Sequence, residues 1–223
     1  LDVQMTFEWP FYVQYQIKTL RRFFAAPNNI IIVDNNCGLF PEISNEVLRL
    51  CENEKVSYIA APDNYYQHQT APHFNPSRKL GVTLNWLYYN IFLRRRVKYF
   101  GFLDHDCFLF RPVDLRTWLD NKGMYGLVTR SHHNESWNLH VIANFFKFDD
   151  VNGKPLDFRP SHKWFLDTGG ENYETLFRGA DPHDYEISHR GVRYTDADIA
   201  RKDAVQHYEI IDECWFHVAA SGD

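Results

Sequence analysis

Residues 97–106, Val97-Lys98-Tyr99-Phe100-Gly101-Phe102-Leu103-Asp104-His105-Asp106, are the most strongly hydrophobic strand candidate in the chain and stop on two carboxylates one residue apart. A short apolar run without alternation reads as a strand buried on both faces, the kind found in parallel sheets covered by helices on each side. In open parallel sheets, ligands sit outside the carboxyl ends of the strands, so position alone makes Asp104 and Asp106 candidate site residues. Carboxylates so spaced in a turn can face one hard divalent cation, whose other ligands would be diphosphate oxygens and water. A D-x-D triplet also serves simply to cap a turn. Here the context favours a site: a strand precedes it, and the aromatic run Cys107-Phe108-Leu109-Phe110, then Pro112, follows.

Upstream, helix and strand patterns alternate. Val13, Ile17, Leu20 and Phe24 recur at helical spacing with Pro10 suited to the first turn. Residues 29–34 (NIIIVD) read as a second doubly buried strand, and Ile43, Val47, Leu50 and Cys51 mark another amphipathic helix before a strand at 56–60. With residues 3–7 as a first strand the chain opens β-α-β-α-β, which predicts an α/β fold with a mostly parallel central sheet and helices on both faces. A loop over 62–76 leads into a long helix whose stripe is Leu80, Leu84, Leu87 and Ile91. Beyond Pro112, short strands at 125–129 and 139–148 predict a small antiparallel extension.

At 223 residues and 44% hydrophobic, one domain is expected. The net charge of -5 argues against a nucleic-acid partner, and the Arg94-Arg95-Arg96 run reads as a solvated helix end. Cys37, Cys51, Cys107 and Cys214 form no C-x-x-C pair and read as reduced and structural. No apolar run approaches the roughly 18 residues of a membrane span, so a soluble chain without a span is expected, with the cytoplasm favoured. A start at Leu1 rather than Met suggests a trimmed chain, and Asn134-Glu135-Ser136 fits a glycosylation sequon without indicating compartment.

The layout 30–36 (IIIVDNN), then a helix ending near Leu84-Asn85, then 100–106 (FGFLDHD), resembles the nucleotide-sugar-binding half of GT-A fold glycosyltransferases, in particular the family 2-like group. The resemblance implies a Rossmann-like single catalytic domain over 1–223, with residues 1–115 as the nucleotide-sugar-binding half and 116–223 as the acceptor-binding half. It implies a hexosyltransferase-type enzyme that moves a sugar from a nucleotide-diphosphate sugar, UDP favoured, to a hydroxyl of a glycan or other acceptor. Asp34, with Asn35 beside it, would contact base or ribose; Asp104 and Asp106 would hold ribose and metal; a late histidine, here His217, would return to the metal. Phe7-Glu8-Trp9-Pro10 departs from the family's sequence after the first strand.

Imidazole beside carboxylate suits Mn2+ at least as well as Mg2+. Lys79 or Arg78 would approach the diphosphate, beneath a loop bearing Tyr65, Tyr66 and His68. For a base, Phe165-Leu166-Asp167-Thr168-Gly169-Gly170-Glu171 offers Asp167 first and Glu171 second, ahead of a helix starting near Glu171. Asp167 could equally cap that helix. A base implies inversion by single displacement; a retaining enzyme would need none. Trp137, Trp164, Tyr173 and Trp215 are candidates for an acceptor platform. Two rivals remain: a haloacid dehalogenase-type phosphohydrolase, which would want Thr or Val where Phe108 stands, and a catalytically inactive carbohydrate- or nucleotide-binding module.

Overall fold

The computed structural model describes residues 2–6, 10–35, 40–62, 76–193 and 207–218. Its first half alternates as the periodicity predicts: β1 (Asp2–Thr6), α1 (Pro10–Phe23), β2 (Asn29–Asp34), α2 (Pro41–Glu54) and β3 (Ser57–Ala60). Helix α3 (Pro76–Leu87) follows and runs on through a π-helical turn, Tyr88–Phe92, to Arg95. The wider turn sets both Tyr88 and Phe92 onto β4 (Tyr99–Leu103), where Phe92 stacks on Phe100 at 4.7 Å between ring centroids. The three arginines 94–96 are exposed at the helix end, as expected. The remaining elements include β5 (Cys107–Leu109), α4 (Arg116–Lys122), β6 (Met124–Arg130), β7 (Trp137–Lys147), β8 (His189–Arg193), β9 (His207–Ile211) and β10 (Trp215–His217).

The main sheet has six strands in the order β3-β2-β1-β4-β7-β6. β3, β2, β1 and β4 pair parallel, β7 runs antiparallel to β4 and β6 antiparallel to β7, so the sheet is mixed and its parallel pairings lie in the first half of the chain. The strands expected at 125–129 and 139–148 as an antiparallel extension instead join the main sheet as β6 and β7, and a separate antiparallel sheet is built from β5-β10-β9-β8.

Both faces of the parallel part are covered, which explains why its strands lack alternation. Ile30 and Ile32 of β2 pack with Val13, Ile17 and Leu20 of α1 on one side; Ile31 and Val33 pack with Leu84 and Leu87 of α3 on the other. Gly101 is needed in β4, because a Cβ there would lie 2.1 Å from the Phe145 ring of β7. The second sheet lies on the α1 side, its Trp215 fully buried and stacked on Phe145 at 5.8 Å. Cys51, Cys107 and Cys214 are buried thiols; Cys37 lies outside the described residues. No helix among the described residues is long and apolar enough to cross a membrane.

Candidate metal centre and its surroundings

β1 pairs with both β2 and β4, Met5 lying opposite Ile32 and Leu103, so Asp34 and Asp104 leave the sheet at the same edge. Two strand spacings separate them, about 10 Å. Asp34 is buried and accepts the Tyr58 hydroxyl at 2.6 Å. Asn35 follows it and Lys79 lies in the first turn of α3, both partly exposed.

The turn after β4 is fixed by its backbone. The Asp104 N–H donates to the Ile142 carbonyl of β7 at 2.9 Å, and the Cys107 N–H returns to the Asp104 carbonyl at 3.2 Å. Gln16, fully buried on α1, donates its Nε2 to the carbonyls of both Asp104 and Cys107. Asp104, His105 and Asp106 offer ligand atoms within 4.8 Å of one another. His105 donates its backbone N–H to Asp104 Oδ1 at 2.8 Å, and its Nδ1 lies 3.0 Å from the same oxygen. Burial of Asp104 opposes its ionisation, but the His105 hydrogen bonds and the His217 charge outweigh it, so the carboxyl sits below its ordinary range.

His217 comes from the far end of the chain. β10 pairs with β5 so that His217 stands opposite Cys107, and the Val218 N–H closes onto the Asp106 carbonyl at 3.0 Å. Trp215 and His217 share one face of β10, with Trp215 buried in the core and His217 beside the metal turn, its Nε2 3.3 Å from Asp106 Oδ1. Asp106 is 3% exposed, and the 3.3 Å contact is not aligned as a hydrogen bond. Its Oδ1 is therefore a buried acceptor without a donor among the described residues. Behind the ring, Nδ1 meets Glu209 Oε2 of β9 at 2.7 Å, and Glu209 also meets His189 Nε2 at 3.1 Å. Burial disfavours charge on His217, but the carboxylates of Asp106 and Glu209 push it up to about 9, and the His217 hydrogen bond holds Glu209 down to about 2.

Asp104, His105 and Asp106 could together hold a divalent cation. His217 Nε2 lies against Asp106 Oδ1, and the Glu209 carboxylate behind its ring is the kind of arrangement that orients a metal-ligating histidine.

The Asp167 segment reaches the same edge by other means. Asn85 of α3 donates to Asp157 Oδ1 at 2.8 Å and accepts the Phe158 N–H at 2.7 Å; the Phe158 carbonyl takes the Gly169 N–H at 2.7 Å. Gly169 has φ +90°, which explains the glycine. Asp167 is exposed, and its Oδ1 accepts the Thr168 N–H at 2.7 Å. The helix expected at Glu171 is instead a 3-10 turn, Gly170–Asn172, running into one π turn, Tyr173–Phe177, so Asp167 caps no α-helix. Glu171 is half-buried in that turn, its N–H bonded to the Arg159 carbonyl at 3.1 Å.

Trp137, 2% exposed, and Trp215 are core residues and cannot serve as an acceptor platform; Trp164 and Tyr173 form a half-buried pair at 4.8 Å. Tyr65, Tyr66 and His68, like Phe7, Glu8 and Trp9, lie outside the described residues.

Two residues absent from the sequence reading support the metal turn and His217: Gln16 and Glu209. Gln16 carried a visible signal, a polar residue inside the apolar stripe Val13, Ile17, Leu20. Glu209 carried none, because its role exists only once β9 lies beside β10.

No family profile matches the sequence, and a search of curated proteins returns no similar chain. Solved structures with a similar fold include a mannosyltransferase, PcManGT from Pyrobaculum calidifontis, in complex with GDP-Man and Mn2+ (14% identity, TM-score 0.44), of which 69% of this chain covers 47%, about half its length. Mouse xyloside xylosyltransferase 1, apo form, is 13% identical at a TM-score of 0.41, over 70% of each chain. The galactosyltransferase LgtC, in complex with donor and acceptor sugar analogs, is 11% identical at a TM-score of 0.44, over 79% of this chain and 66% of its own.

Proposed function

We propose that the protein is a metal-dependent glycosyltransferase that moves a sugar from a nucleotide-diphosphate donor, UDP-sugar favoured, to a hydroxyl acceptor. The observation carrying this reading is the cluster of Asp104, His105 and buried Asp106 where β4 ends at the carboxyl edge of the parallel strands, with a carboxylate-backed His217 against Asp106. A mixed oxygen and nitrogen set would suit Mn2+ at least as well as Mg2+. Bound there, the metal would neutralise charge developing on the departing diphosphate. Asp104, Asp106 and His217 would hold it, while Asp34 and Asn35, two strands away, would meet the nucleoside and Lys79 the diphosphate. Asp167, with Glu171 as second choice, would take the acceptor proton in a single displacement that inverts the anomeric carbon. Residues 1–115 would then serve the donor and 116–223 the acceptor.

A phosphohydrolase is less well supported. Its first aspartate must attack as a bare carboxylate, whereas Asp104 Oδ1 already receives the backbone and ring of His105.

A thermal-shift panel of UDP-, GDP- and dTDP-sugars with and without Mn2+ tests the reading. Stabilisation requiring both nucleotide and metal, and abolished in Asp106→Ala, is expected; metal-independent binding, or none, would remove the transferase from consideration.

A further inference from the structure

β7 carries a polar row along the face that looks onto the metal turn. Asn138 pairs opposite Thr129 and His140 opposite Leu127, and Leu127 packs in the same cluster as Leu103, Cys107 and Trp215. Directly opposed residues of an antiparallel pair share a face, so His140 lies on the side of Asp106 and His217. At one end of the row Asn138 Nδ2 donates to the Thr168 carbonyl at 3.0 Å, anchoring the turn that carries Asp167. At the other end Ile142 accepts the Asp104 N–H, anchoring the metal turn. His140 stands between the two anchors.

The strand is bent there on purpose. Gly126 of β6 alone faces residues 141–144 of β7, a bulge that begins immediately after His140. Bulges of this kind re-aim side chains beside active sites. The backbone N–H of Ile142 donates to His140 Nδ1 at 3.3 Å, which leaves the ring proton on Nε2 and makes that atom a donor. The ring is half-buried and within electrostatic reach of Asp167, Asp104, Glu209 and His217.

We infer that His140 is a substrate-contacting residue whose neutral Nε2–H donates to a sugar hydroxyl held between the metal turn and Asp167. The inference rests on the transferase reading and adds to it a residue that sets hydroxyl specificity. A site built to hydrogen-bond a hydroxyl discriminates strongly against loss of either partner.

His140→Phe keeps the ring volume without the donor, and His140→Gln keeps an N–H near the Nε2 position. Both are compared with wild type in Mn2+ for release of UDP from a UDP-sugar by water, for transfer to a saturating methyl glycoside, and for the metal-dependent thermal shift with UDP alone. A fall of roughly 30-fold or more in kcat/KM for His140→Phe, recovery to within about 5-fold in His140→Gln, and an unchanged UDP shift in both are expected. A fall in water-driven hydrolysis assigns the hydroxyl to the donor sugar; a fall in transfer alone assigns it to the acceptor. Equal loss in both variants, loss of the UDP shift, or full activity of His140→Phe overturns the assignment of His140. Absence of any metal-dependent nucleotide shift or turnover in wild type overturns the transferase reading itself, and the inference with it.

Discussion

Individual charges at the site are set by what faces them. His217 lies above its ordinary value of 6.5, at about 9, because Asp106 and Glu209 flank its two ring nitrogens; Glu209 lies below 4.5, at about 2, for the reciprocal reason. The pair stabilises the fold fully where both are charged. A raised histidine loses its contribution as pH climbs from 6.5 through about 9, and a depressed glutamate loses its own as pH falls from 4.5 through about 2. In EDTA, stability should therefore be highest between about pH 4.5 and 6.5 and fall by on the order of 2–3 kcal/mol by pH 9.5. Thermal unfolding across that range checks this, and His217→Gln should flatten the alkaline limb. An unchanged limb in the variant would show that the ion pair is not its source.

Among the elements, the β9–β10 hairpin controls whether the metal turn has its histidine. The turn joining its strands is centred on Asp212-Glu213, with φ of 49° and 52°, and the Cys214 N–H closes onto the Ile211 carbonyl at 3.2 Å. Two successive positive φ values define a type I′ turn, which favours glycine at the second position. Asp212 is retained for a reason: it accepts the Tyr125 hydroxyl at 2.8 Å, and that oxygen accepts the Trp215 indole at 3.0 Å. Among the described residues, Glu213 makes only long, exposed pairs with Arg111 and Arg190, at 3.9 and 3.5 Å, which contribute little. Glu213→Gly should raise stability by about 0.5–1 kcal/mol, read as a higher denaturant midpoint at constant slope. A lower midpoint would mean that those surface pairs outweigh the backbone strain.

At the scale of the whole molecule, the two sheets share one core. Trp215, Ile211 and Cys107 of the second sheet pack in the same cluster as α1, β2 and β4. Neither half can then lose its packing alone, and a single cooperative transition is expected, with far-UV circular dichroism and tryptophan fluorescence coinciding on denaturation. Separated midpoints would divide the chain into two folding units.

How far the primary structure reaches follows from the range of each interaction. The opening β-α-β-α-β order, the double burial of β2 and β4 and the placing of Asp34 and Asp104 at one edge are legible along the chain, because hydrophobic periodicity is local and parallel strands end alike. Asp106 is legible as a candidate, but not its burial or its orphaned oxygen. His217 is reached from the sequence only through a family resemblance; its meeting with Asp106 depends on β10 pairing with β5 across about 100 residues of chain. The helix expected at Glu171 became short 3-10 and π turns because Asn138, Phe158 and Arg159 hold its backbone from outside. Gln16, Glu209 and His140 acquire roles only where separate elements meet. Local patterning determined the scaffold and the edge on which a site would lie; only tertiary packing decided which side chains face one another there, since charge pairing and ligand convergence act through space between residues the chain keeps far apart.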